Sequence, residues 1–259
     1  MTSRHHALRR GVGYAVAAGF GLAGVKTAFR GSWSAAHGLA AAATGVLLVP
    51  TLWRNCSLYG PVVKRFMVDT REAWLTIDDG PDPEDTPEIL DVLARHGAKA
   101  TFFAIGERVL LWPNLACRVV EEGHRLENHT QHHQVATFWA ASPRRAHLEI
   151  DSCTRTIQDV TGTRPSLFRC PVGLANPFVH EAAMRSRLRM IGWSAAALDG
   201  VAHSSEAAFR RIKNSLFPGA IILLHEGPSG KRGRGSRAAM VDRVLQHLER
   251  ENYVTTIPY

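Results

Sequence analysis

From about residue 67 onward, short apolar runs alternate with longer stretches in which apolar residues recur every three or four positions. The short runs predict strands: Trp74-Leu75-Thr76-Ile77, Ala100-Thr101-Phe102-Phe103-Ala104, Arg125-Leu126-Glu127, Leu167-Phe168, Met190-Ile191-Gly192-Trp193 and Ile221-Ile222-Leu223-Leu224, with a last one at 253–257. The amphipathic stretches predict helices. In the first, Thr86 can cap, Pro87 suits the first turn, Ile89, Leu90, Leu93 and Ala94 make the apolar face, and Gly97 ends it. A second helix spans 115–122 and stops at Gly123. A third, long one starts at Ser142-Pro143 and counts Leu148, Ile157 and Val160 among its apolar positions. Others are expected near 177–186, 205–216 and 237–251. Strand and helix in alternation are the pattern of an α/β protein with a parallel sheet.

Ahead of residue 67 the pattern is different. Between residues 35 and 53 the only polar side chains are His37, Thr44 and Thr51, a run close to the ~20 residues that cross a bilayer core. Residues 11–25 form a second apolar run, bounded by Arg9-Arg10 and Lys26. The core of a cleavable signal peptide is one reading of 11–25. Two small-residue-rich helices forming a membrane hairpin account for both runs together, because Gly and Ala let helix backbones approach closely. The chain therefore divides into an N-terminal anchor region, 1–66, and a catalytic region, 67–259. A hairpin puts the catalytic region on the cytoplasmic side by the distribution of Lys and Arg. A single span at 35–53 puts it outside.

Composition changes this picture little. With 45% hydrophobic and 21% charged residues in 259, the chain is globular. The formal charge is +8, and the basic residues are dispersed, with dense groups only at Lys231-Arg232-Gly233-Arg234 and at Arg4, Arg9 and Arg10, beside the apolar runs. Attraction to anionic lipid head groups explains the latter, and no stacking strand or recognition helix accompanies them, so no nucleic-acid partner is expected. Cys56, Cys117, Cys153 and Cys170 form no CxxC pair and read as free thiols.

The predicted strands end in polar residues, as they do where barrel enzymes build active sites. Asp78-Asp79 follow the first strand and lead into Gly80-Pro81, a turn that lets the two carboxylates take different roles. His129 and His133 are four apart, so a helical turn over 128–134 would bring both imidazoles to one metal ion. His132 lies off that face and reads as a bystander. Two histidines and one Asp make a three-ligand catalytic site, leaving the other Asp free to accept a proton. Arg169, Asp199 and His225 stand at or near the ends of later strands.

Thr76-Ile77-Asp78-Asp79-Gly80-Pro81 and Asn128-His129-Thr130-Gln131-His132-His133 resemble the first two motifs of the polysaccharide deacetylases, the NodB-like carbohydrate esterases. Arg169-Cys170-Pro171 resembles the third, the segment from Trp193 to Asp199 the fourth, and Leu223-Leu224-His225 the fifth. The resemblance implies a distorted TIM-like (β/α) barrel and metal-assisted removal of an acetyl group from an N-acetylated sugar. It implies Asp78 as general base and Asp79, His129 and His133 as ligands of a divalent ion, with zinc expected from the donor set. Arg169 would orient the base, and His225 would be the general acid, its charge state set by Asp199. The expected substrates are an envelope polysaccharide or a lipid-linked glycan. An O-acetyl ester, an N-formyl group, or plain glycan binding are the alternatives. The family often has an aromatic residue where this chain has Val172-Gly173, and a tryptophan where it has Gly200, departures expected to open or reshape the sugar site.

Overall fold

The computed structural model describes residues 33–197, 204–227 and 235–259. The apolar run 11–25, Asp199, Gly200 and the basic group at 231–234 lie outside them. Strand β1 (Glu72–Asp78) is buried from its second residue to its last, the near-continuous burial of a parallel strand covered on both faces. Its alternation still sorts side chains: Ala73, Leu75 and Ile77 join the core under the helices, while Trp74 packs on the opposite face with Phe103, Leu167, Ile191 and Ile221. Thr76 and Asp78 share the parity of Trp74.

Around β1 lie β2 (Thr101–Ala104), β3 (Arg125–Asn128), β4 (Leu167–Phe168) and β5 (Arg189–Met190) on one side, and β7 (Ala220–His225) and β6 (Ala195–Ala196) on the other. The order is β5-β4-β3-β2-β1-β7-β6, every pairing parallel, with β8 (Val254–Thr255) against the start of β1. The helices are α1 (Trp33–Thr51), α2 (Asp85–Arg95), α3 (Gly106–Leu111), α4 (Pro113–Glu121), α5 (Pro143–Thr161), α6 (Pro177–Arg185), α7 (Ser205–Asn214) and α8 (Ser236–Arg250).

The sheet is a parallel half-barrel, short of a closed TIM-like ring, since β5 and β6 are its two ends. The segment ahead of β1 crosses that seam. Val63 N–H donates to Met190, Gly192 N–H donates back to the Val63 carbonyl, and Phe66 N–H donates to Gly219.

Two expectations about helices need correction. Thr86 is not a cap: α2 starts at Asp85, and the Thr86 hydroxyl accepts from Asp82 N–H and donates to Glu226. Leu148 is 53% exposed, because α5 buries Ala146, Glu149, Ile150, Cys153 and Ile157, and Leu148 stands about 200° round from Ala146. The membrane hairpin is unsupported. Its second run is the helix α1, which carries His37, two glycines and Pro50, and among the described residues no helix is long and apolar enough to cross a membrane. All four cysteines are free thiols, as expected.

Candidate active site

Parallel pairing brings the strand ends to one rim, and register fixes who meets whom. Asp78 lies opposite His225 of β7 and Phe103 of β2, and Asn128 lies opposite Ala104 and Phe168. Arg169 follows β4 directly and reaches back under the rim. Its Nη1 donates to Asp78 Oδ1 and to the Thr76 hydroxyl, both at 2.7 Å, its Nη2 to the Gly192 carbonyl at 3.0 Å, and its Nε to the Ile191 carbonyl at 3.4 Å. The guanidinium is fully buried and lies 4.2 Å from the centre of the Phe103 ring. Burial lowers its pKa, and the charge and hydrogen bond of Asp78 oppose that fall. A buried ion pair persists only when its remaining donors are satisfied, and here every guanidinium nitrogen has an acceptor.

Adjacent carboxylates on a strand would point to opposite faces. Asp79 instead takes a left-handed backbone, φ 78°, which Asp tolerates better than most residues, and the chain turns at Gly80. The turn separates the pair by function. Asp78 Oδ1 is held by Arg169 and its Oδ2 lies 3.7 Å from His129 Nε2, while Asp79 Oδ1 stands 3.4 Å from His129 Nε2 and 3.2 Å from His133 Nε2.

The histidines meet by a route the sequence did not suggest. Residues 129–134 are not helical; Thr130 and His133 both have left-handed backbones, at φ 69° and 49°. Side chains lock this loop: Asn128 Oδ1 accepts from Thr130 N–H, Thr130 Oγ1 from His133 N–H, and Glu149 Oε2 from His132 N–H. The result is two imidazole rings 4.6 Å apart. His132 points away and pairs with Glu149, a strap to α5 rather than a bystander.

Asp79, His129 and His133 are the one group among the described residues whose ligand atoms converge as a metal site would need. Their chemistry fits. Asp79 Oδ1 is buried with no hydrogen bond, a cost that a cation would remove. His129 Nδ1 lies 2.7 Å from the Arg169 carbonyl, which fixes the proton there and leaves Nε2 as a lone-pair donor. Burial, then the neighbouring His129, pushes His133 down to about 4, so its imidazole is neutral near pH 7. Burial works against ionised Asp79, but His129, His133 and His225 outweigh it and hold the carboxyl below the ordinary range.

Glu226, directly after His225, escaped notice in the sequence. It is 2% exposed, its Oε2 accepts from Thr86, and a Cβ on Gly80 would fall 1.6 Å from its Oε1, so Gly80 is the residue that admits it. Burial, with Asp82 and Asp85 nearby, pushes its pKa up to about 8 against the Thr86 hydrogen bond. The folded state therefore keeps a proton that the unfolded chain releases near pH 4.5. The resulting stabilisation is full below pH 4.5 and is lost as pH rises through about 8. Glu226→Gln, which stays neutral, is expected to match the parent near pH 5 and to melt about 5–15 °C higher at pH 9. Thermal melts at both pH values check this; equal melting temperatures at pH 9 would show that Glu226 is not held neutral.

Thr76 belongs to the first motif but carries no role in the sequence; its parity with Asp78 is the signal that it faces the site. Of the expected site residues, Asp78, Asp79, His129, His133 and Arg169 converge, and His225 stands beside Asp78 in register.

A parallel half-barrel with a divided carboxylate pair, two convergent imidazoles and a buried arginine at its strand ends is the framework of a hydrolase. Residues 67–191 match the family model for polysaccharide deacetylase. Over 181 residues the chain is 34% identical to a chitooligosaccharide deacetylase of Bradyrhizobium sp., covering 69% of this chain and 82% of that one. Over 178 residues it is 32% identical to a peptidoglycan-N-acetylglucosamine deacetylase of Bacillus cereus, covering 69% and 63%. The crystal structure of a peptidoglycan N-acetylglucosamine deacetylase superimposes with a TM-score of 0.66 at 28% identity, over 75% of this chain and 89% of that one. The chain belongs to the polysaccharide deacetylase family and is a hydrolase of that kind.

Proposed function

We propose that this protein removes the N-acetyl group from an N-acetylated sugar of an envelope polysaccharide or lipid-linked glycan, with a divalent ion held by Asp79, His129 and His133. The observation that carries this reading is the split of the carboxylate pair, one to Arg169 and one to the histidines. An ion there would polarise the acetyl carbonyl and acidify a water molecule. Histidine nitrogens with one carboxylate favour zinc. Asp78 serves as general base. Arg169 holds it in position through the 2.7 Å hydrogen bond from Nη1 to Asp78 Oδ1.

An amine leaves poorly unless protonated, and His225 on the strand beside Asp78 is the general acid for that step. Asp199 is the proposed partner that keeps the imidazole charged. In this reading 67–259 is the catalytic domain, and 1–66 is a region that holds it at a membrane.

The test is acetate release from an N-acetylglucosamine oligomer by zinc-loaded protein, with mass spectrometry of the product. A free amine in place of the amide is expected; no acetate from this oligomer and none from an N-acetylglucosaminyl lipid in vesicles overturns the reading. His225→Ala is expected to slow turnover by about 10²- to 10⁴-fold with metal content unchanged. Turnover close to the parent's would remove His225 from the mechanism.

A further inference from the structure

The first 68 residues contain eight Lys and Arg and no Asp or Glu, whereas the other 191 contain 23 of each. The entire formal charge of +8 therefore lies ahead of β1. Within that stretch, α1 and the chain after it leave large apolar side chains in water: Leu48, Val49, Leu52, Leu58 and Trp53, the last 69% exposed. Exposed Arg54, Lys64 and Arg65 follow among them or shortly after. Large exposed aliphatic and aromatic side chains close together in sequence, in a stretch with cations and no acidic residue, mark an interaction surface. An anionic bilayer suits both: the indole and aliphatic groups enter the interface, and the cations meet lipid phosphates.

This surface is joined to the active site. Asn55, two residues past Trp53, donates its N–H to the Gly173 carbonyl at 2.8 Å and its Nδ2 to the Trp193 carbonyl at 3.4 Å. Gly173 lies on the loop after Arg169, and Gly192, against which Asn55 also packs, gives its carbonyl to Arg169. A Cβ on Gly173 would come within 2.7 Å of the Trp193 ring and 2.9 Å of Asn55 Oδ1. The space beside Val172-Gly173, expected to stand open, is thus filled by Asn55 and Trp193.

We propose that the exposed apolar side chains between residues 48 and 58 seat the mouth of the active site on an anionic lipid surface, so that the sugar it takes is an N-acetylated glycan borne on a lipid. This rests on the deacetylase reading and narrows its substrate class.

The test uses the full-length, zinc-loaded protein. Vesicles containing brominated phosphatidylglycerol are expected to quench wild-type tryptophan fluorescence, and Trp53→Phe is expected to remove most of that quenching. Turnover is then compared on a soluble N-acetylglucosamine oligomer and on an N-acetylglucosaminyl lipid in phosphatidylglycerol vesicles. The Leu52→Asp, Trp53→Asp double variant alters only exposed side chains. It is expected to lose at least about tenfold on the vesicle-borne substrate and to keep the parent's rate on the soluble one. Undiminished quenching in Trp53→Phe, or equal losses on both substrates, overturns the proposal. If the wild type is quenched through Trp53 but releases acetate from neither substrate, the lipid surface stands and the deacetylase reading falls.

Discussion

Replacing both His129 and His133 by Ala is expected to leave the purified protein without a bound divalent ion and without measurable acetate release. The two imidazoles supply two of three convergent donors, and Asp79 alone is a single carboxylate at a site partly open to water. Asp79→Asn is expected to weaken the ion, since it replaces the buried, unpaired Oδ1 charge by an amide. Asp78→Asn should behave differently. Its carboxylate is committed to Arg169, so metal content should persist while turnover falls about 10²- to 10⁴-fold, the usual cost of a lost general base. Elemental analysis beside rate measurements separates the two carboxylates. Stoichiometric metal in the double histidine variant would sink the site as described.

A loss of comparable size, in stability, is expected at Arg169. Arg169→Met leaves Asp78 charged and buried with its strongest partner gone, and a broken buried pair typically costs about 3–5 kcal/mol. Melting is expected to fall by about 10 °C or more. Adding Asp78→Leu removes the stranded charge, so the double variant should regain most of that stability and none of the activity. Denaturant unfolding of the four proteins measures the coupling. Additive losses in the double variant would mean that the two side chains do not depend on each other.

Much of the site was legible because it sits where local pattern is strongest. Asp78, Arg169 and His225 each end or follow a short apolar run, and a parallel strand buried on both faces leaves its charged residues at its ends. Apart from α3, over which no helix was expected, the helices after β1 were legible to within a few residues for a similar reason, their apolar period being set by the sheet they cover. Errors fell where a side chain takes its role from something distant in sequence. Thr86 reads as a cap, yet its hydroxyl serves Glu226, 140 residues away. Leu148 reads as core, yet the packed face of α5 runs through Glu149, whose carboxylate is spent on the loop that carries the histidines.

The alternation of strand and helix, the order of the chemical groups along the chain and the family they mark depend on local period and residue type, and are therefore written in the chain itself. Folding settled the rest. It placed Asp79 and the two histidines together through left-handed turns at Asp79, Thr130 and His133, conformations that side chains from other segments must hold in place. It buried Glu226 against Gly80, where desolvation keeps a carboxyl protonated. And it laid Asn55 on Gly173 and Trp193, joining an apolar, cationic segment to a site more than a hundred residues further on, since contacts across the open seam of a half-barrel follow from how the sheet curls and leave no trace in local pattern.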